Sequence, residues 1–156
     1  MSIAVVDIDG VVADVTHRLP YLDQRPKDWA GFFRAAAEDP PLPRGVALVH
    51  ELKLDHDIIW LTGRPAWLAP VTRSWLHEQG LPIDGLHTRG DRDRRPARLY
   101  KVTMLKKLAE GSIAHFIDDD VDVIAAARAA GFPATLADWL PRAAAMRQAQ
   151  DRIGRS

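Results

Sequence analysis

Cysteine is absent from the 156 residues, which excludes disulfides and thiolate metal sites and suits a reducing, cytoplasmic setting. Net charge is absent as well. The 21 Lys and Arg balance 21 Asp and Glu, so no global field draws the chain to nucleic acid or to a membrane, and any preference for anions must be local. No apolar run approaches the roughly 20 residues of a membrane span. The first residues also lack the basic region and small-residue cleavage site of a secretory leader, so the opening apolar stretch is expected to belong to the fold. Repeats and low-complexity tracts are missing, and the length suits a single domain with a real core.

What is present begins with Ser2 to Asp14, SIAVVDIDGVVAD. Ile3, Ala4, Val5 and Val6 read as a buried parallel strand that ends in Asp7, Ile8, Asp9 and Gly10. In an extended chain the spacing of two puts the carboxylates of Asp7 and Asp9 on one side, and Gly10 permits a sharp exit. A polar, proline-punctuated region at about 14–44 follows as a small cap-like insertion. Within it Asp28 is placed to cap a short helix through Ala37, and Arg18 and Tyr21 are placed at the rim of a site, with His17 either a plain loop histidine or a third rim residue. Helical periodicity then covers Arg44 to Leu54, and Asp57 to Thr62 reads as a second buried strand, broken by Gly63, Arg64 and Pro65.

Trp67, Val71 and Trp75 recur at helical spacing on the next helix, which Gly80 stops. Trp75 reads as core, whereas Trp67, nearest the strand end, has packing and base stacking as alternatives. A short strand around Gly85 to His87 leads into the basic stretch Arg89 to Lys101 (RGDRDRRPARLYK). A helix over about 97–109 should turn Leu99, Val102, Leu105 and Leu108 inward. Ser112 to Ile117 forms another strand ending at Asp118, Asp119 and Asp120. A helix, an edge strand near Leu136 and a C-terminal helix at about 141–153 complete the chain.

Strands alternating with helices call for an α/β fold, a parallel sheet covered on both faces. Ligands bind such sheets at the carboxyl ends of the strands, where Asp7, Asp9, Thr62 and Asp118 all stand. Strand-end acids without a thiol or a close histidine pair make a hard, all-oxygen site that suits Mg2+. Thr62 offers a hydroxyl, and the N–H groups of Gly63 and Arg64 follow it, for a phosphoryl oxygen. Lys101 supplies a point charge to the same group. These parts describe phosphoryl transfer.

The ordered set Asp7/Asp9, Thr62, Lys101 and Asp118/Asp119 resembles the haloacid dehalogenase (HAD) superfamily over about the first 135 residues. The resemblance implies a three-layer α/β/α Rossmann-like core with only a minimal cap and a Mg2+-dependent phosphatase. It makes Asp7 the nucleophile that becomes an aspartyl phosphate and Asp9 the acid, then base, for the leaving oxygen and water. It places the metal on the Asp7 side chain, the Asp9 backbone carbonyl and Asp118, with Asp119 and Asp122 as candidates for anchoring metal-bound water. Lys106 and Lys107 rival Lys101.

Leu61 to Arg64, the Arg89 to Lys101 stretch with Asp93-Arg94-Arg95-Pro96, and Ile117 to Asp119 narrow the resemblance to the phosphatase domain of phage-type polynucleotide kinases, which remove 3′-phosphates from nucleic-acid ends. On that reading Arg64, Arg89 and Arg95 contact substrate phosphates or orient the loop. The chain departs in having no Gly-Lys-Ser/Thr nucleotide loop, hence no expected kinase half, and in an acidic run extended to Asp120. The expected partner is a phosphorylated substrate, a nucleic-acid terminus or a nucleotide. The alternatives are a 5′-nucleotidase or small-metabolite phosphatase of the same superfamily and a non-catalytic receiver-like module.

Overall fold

The computed structural model describes residues 1–140, so the C-terminal helix expected at about 141–153 lies outside the described residues. The elements run β1 (Ile3–Val6), α1 (Pro20–Asp23), α2 (Trp29–Arg34), α3 (Pro43–Lys53), β2 (Asp57–Pro65), α4 (Ala69–Glu78), β3 (Gly85–Arg89), α5 (Ala97–Leu108), β4 (Ile113–Asp118), α6 (Val121–Ala129) and β5 (Ala134–Leu136). The strands form one parallel sheet in the order β3-β2-β1-β4-β5. No helix among the described residues is long and apolar enough to cross a membrane.

Period-two alternation in β1 sorts the core into two layers. Ala4 and Val6 pack with Ile58, Trp60, Val49, Leu52, Trp75 and Leu76 beneath α3 and α4. Val5 faces the other way, with Leu61, Phe116, Tyr100, Leu105, Val123 and Ile124 beneath α5 and α6. Each such aliphatic side chain removed from water contributes roughly 1.5–3 kcal/mol, and β1, which is central and has three fully buried residues, gains from both layers. The result is the three-layer α/β architecture, with every strand's carboxyl end on one edge.

The segment between β1 and α3 carries its own small cluster of Leu22, Phe32, Phe33, Ala36 and Leu68. Asp28 caps α2 through the Gly31 N–H at 2.9 Å. The segment's ends are drawn together by Asp14 N–H to the Pro40 carbonyl and Leu42 N–H to the Val12 carbonyl. What it leaves over the sheet is a short helical cover.

Three local expectations change. Strand β2 does not break at Thr62 but stays extended through Pro65, with a register shift against β3 after Leu61. In α4 the buried face is Thr72, Trp75 and Leu76, while Trp67 and Val71 are exposed, because Trp67 lies in a 3-10 turn before the α-helix proper. In α5, Leu99 is half exposed, and Tyr100 and Lys101 are buried with Ala97 and Leu105. Leu99 gives way because the helix phase is set by a lysine whose charge three oxygens satisfy from within the fold.

Candidate active site

The loop after β1 is wound tightly on its own backbone. The Val11, Val12 and Ala13 N–H groups all donate to the Ile8 carbonyl at 3.0–3.1 Å, and Gly10 N–H donates to the Ala13 carbonyl. Gly10 has φ +79°, which favours glycine, and a Cβ there would overlap the Asp119 carboxylate. This glycine therefore lets the β4 acids close over the β1 loop.

Asp7 and Asp118 extend from adjacent strands, and Lys101 reaches between them from the first turns of α5. Its ammonium lies 3.1 Å from Asp7 Oδ1 and 2.8 Å from Asp118 Oδ2, and it donates to the Leu61 carbonyl at 3.1 Å. Burial works against the lysine charge, but Asp118 and Asp7 overcome it and raise the pKa above the ordinary value. Lys106 and Lys107 are exposed on the far part of the helix. Burial, reinforced by Asp118, pushes Asp7 up to about 7 against the pull of Lys101.

Carboxylate oxygens of Asp7, Asp118 and Asp119 lie within 4.8 Å of one another. This all-oxygen, net-acidic set, two of its members nine-tenths or more buried, fits a hard divalent cation such as Mg2+. Asp122 is outside the cluster and exposed on α6. Asp120, the extension of the acidic run, caps that helix through the Asp122 and Val123 N–H groups.

Asp9 is equally buried but differently furnished. Arg18 Nη2 approaches its Oδ1 at 2.9 Å and Arg64 Nη2 at 2.6 Å, and both arginines are fully buried. Behind them Asp39 accepts Arg18 Nε and Nη2 at 2.8 and 2.7 Å and Arg64 Nη2 at 3.3 Å. His17 Nε2 lies 2.6 Å from Asp39 Oδ1, and Arg64 Nη1 donates to Thr72 Oγ1 at 3.1 Å. Two guanidinium groups and two carboxylates thus form a buried, internally neutral network. Burial alone would raise the Asp9 pKa, but Arg64 and Arg18 outweigh it and hold the carboxyl below the usual range.

Arg64, expected on substrate phosphates, is turned inward to Asp9, and Arg18, expected at the rim, lies in the interior over the Phe32 ring. Asp39 and Thr72 carry no sequence signal beyond a turn and a helix position. Only the extended run through Pro65, which carries Arg64 two residues past Thr62, could have hinted at the network.

Thr62 is fully buried, its hydroxyl accepting the Arg64 N–H at 3.1 Å and its carbonyl the Tyr100 hydroxyl at 3.3 Å. Gly63 lines a cavity on the β2–β3 side. Arg89, 2% exposed, lines the same cavity, lies 4.5 Å over the Tyr100 ring and donates through Nη2 to the Arg95 carbonyl. Arg95 is itself exposed and bonds Asp93 through Nη2 at 2.7 Å. Asp7, Asp118, Asp119 and Lys101 therefore converge, Asp9 stands beside them in its own network, and Arg89 and Arg95 belong to the neighbouring loop.

The model of the polynucleotide kinase PNKP phosphatase domain, a HAD type, matches residues 1–137. No curated protein matches the chain in sequence. Among solved structures, a chain of the Pnkp1/Rnl/Hen1 RNA repair complex superposes with a TM-score of 0.72 at 19% identity, covering 86% of this chain and 42% of that one. A heptose bisphosphate phosphatase from B. bronchiseptica complexed with magnesium and phosphate gives 0.58 at 18%, covering 87% and 80%. The tungstate-bound class C acid phosphatase from Bacillus anthracis gives 0.60 at 18%, covering 78% and 53%. At these identities the likeness is one of fold, and the chain spans less than half the length of the RNA-repair relative.

Proposed function

The chain belongs to the PNKP phosphatase-domain family of HAD phosphatases, and on that premise we propose that it is a Mg2+-dependent phosphomonoesterase that removes a 3′-phosphate from a nucleic-acid end through an aspartyl phosphate. The observation that carries the mechanism is Lys101 held between Asp7 and Asp118 beside Asp119, with the Asp9 carboxylate two residues along the same loop.

Asp7, Asp118 and Asp119 would hold Mg2+ with the Asp9 backbone carbonyl. The cation would neutralise charge on the transferring phosphoryl group. Lys101 keeps a full positive charge beside Asp7, orienting its carboxylate and attracting the anionic phosphate group. Asp7 attacks phosphorus. The bond to the leaving oxygen breaks as that oxygen takes a proton, and the phosphoryl group rests on Asp7. Asp9 then takes a proton from the attacking water, the acyl phosphate bond breaks, phosphate leaves with Asp7 restored, and Asp9 gives its proton to solvent or to the next leaving oxygen. Arg18 and Arg64 keep Asp9 in the ionised form that this second step uses. For the first step the proton must come with the substrate, whose phosphate monoester retains one below its second pKa of about 6, or enter Asp9 as phosphate displaces part of its arginine contact.

The nucleic-acid reading is supported by the family match and by the superposable chain, which comes from an RNA repair complex. The small size of the segment between β1 and α3, a few short helical turns, supports it too, since no large lid domain among the described residues encloses the site. The test is phosphate release, with and without Mg2+, from 3′-phosphorylated and 5′-phosphorylated oligonucleotides, mononucleotides and a simple alkyl phosphate. A Mg2+-dependent preference for the 3′-phosphorylated oligonucleotide is expected. Activity confined to mononucleotides would overturn the end-processing reading in favour of a nucleotidase.

A further inference from the structure

On the β2–β3 side of the reaction centre, Gly63 leads from Thr62 into a cavity of about 140 Å³, comparable to the roughly 150 Å³ that takes one benzene-sized ring. Its walls are aromatic. Trp67 is 46% exposed and meets Phe33 edge to face at 6.2 Å, and Phe33 stacks on Trp29 at 5.8 Å. Large side chains at a helix start normally turn into the core, yet Trp67 is left out on the rim. Asp91 holds its backbone there by accepting the Trp67 N–H at 3.2 Å.

The polar furniture is specific. Arg89 is almost wholly buried, yet its Nε and Nη1 have no partner among the described residues. Unpaired buried donors cost free energy, and the arginine that carries them lines the cavity together with Asp93. A second phosphate would meet the Asp91 and Asp93 carboxylates that line the same space. A neutral ring fits better: its carbonyl or ring-nitrogen acceptors suit the arginine fork, its amino group suits a carboxylate, and its faces suit the tryptophan. Building on the phosphatase reading above, we propose that this cavity is a nucleobase subsite, which stacks the base of the phosphate-bearing nucleotide on Trp67 and reads its edge with Arg89. The sheet order then lays the site across four neighbouring strands, with the cation acids at the ends of β1 and β4, the phosphate at Thr62 on β2, and the base between β2 and β3.

The experiment compares kcat/KM for a 3′-phosphorylated oligonucleotide with that for the same oligonucleotide carrying an abasic 3′-phosphorylated terminus, in wild type, Trp67→Ala and Arg89→Met. Wild type should favour the base-bearing end by about tenfold, within the range that base–aromatic stacking supplies, and mainly through KM. In Trp67→Ala, which removes a half-exposed side chain, the ratio should fall towards one. Arg89→Met, which removes the guanidinium while keeping an unbranched side chain in its place, should lower it in part. Equal use of both ends by wild type, or a ratio unchanged in both variants, overturns the subsite and leaves the phosphatase standing. If no oligonucleotide releases phosphate, the functional reading fails instead. The subsite then stands or falls on whether unphosphorylated uridine or adenosine shifts the Trp67 indole N–H resonance in wild type.

Discussion

Asp7 and Asp9 are two residues apart on one loop and each 4% exposed, yet their surroundings push them in opposite directions. Asp7 shares one lysine with a second carboxylate, so burial and like charge raise its pKa to about 7. Asp9 has two arginines to itself and is held ionised. The first arrangement is short of positive charge by design of its neighbours, and a divalent cation would complete it. The second is complete without any ligand. Two carboxylates of one motif thus acquire different jobs from their partners rather than from their own chemistry.

The largest test of this contrast is Asp7→Asn. Losing the nucleophile should abolish phosphate release by at least about a thousandfold. The variant should nonetheless melt no lower than wild type in Mg2+-free buffer above pH 7, where it is spared an ionised carboxylate in a buried acidic cluster. Near-normal turnover by this variant would sink the aspartyl-phosphate mechanism.

Next comes the Asp9 side. Arg64→Ala and Arg18→Ala each remove one partner from a buried charge network, and such losses cost roughly 3–5 kcal/mol. Urea unfolding should register that cost, and the acid limb of kcat should move to higher pH as Asp9 loses what holds it down. A variant that is destabilised with an unmoved pH profile would show the arginines to be structural only.

Metal and proton should compete at Asp7. Its folded pKa of about 7 exceeds the ordinary aspartate value of 3.8, so the folded state binds the extra proton between those pH values. The penalty for ionisation is therefore absent below about 3.8, grows as pH rises and is complete above about 7. A cation binds the ionised form, so Mg2+ should raise Tm more at pH 8 than at pH 5. Equal shifts at both pH values would contradict the assignment of Asp7 as a ligand.

The smallest effect is expected from Asp122→Ala, which touches an exposed helix position and should leave the Mg2+ concentration for half-maximal activity unchanged. Asp119→Ala should raise it severalfold, because Asp119 belongs to the carboxylate cluster. The reverse order would transfer the anchoring role to Asp122.

Much of this was legible along the chain because its signals are local. Apolar runs ending in acids mark strand ends, and the parallel sheet's rule about carboxyl edges brings Asp7, Thr62 and Asp118 together before any coordinates are known. Helix phase was less legible. Trp67, Val71 and Leu99 sit at the spacing of a buried stripe and lie outside, because a 3-10 turn offsets the first and the demands of Lys101 rotate the helix that carries the last. Arg64 has the type and position expected to contact substrate phosphates or orient the loop, and in this structure its guanidinium lies on the Asp9 carboxylate, a partner that its sequence position does not reveal.

By itself the sequence determined the order of strands and helices, the acids at the strand ends and the family to which these motifs belong, since each depends on residue type and short spacing. Only the tertiary structure decided which partner each charge receives. Asp39 meets Arg18 across 21 residues and Asp9 meets Arg64 across 55. Arg89, with two nitrogens unpaired among the described residues, lines a cavity built from three separate segments. Electrostatic partnership depends on distance and burial, and those quantities exist only once the sheet has closed.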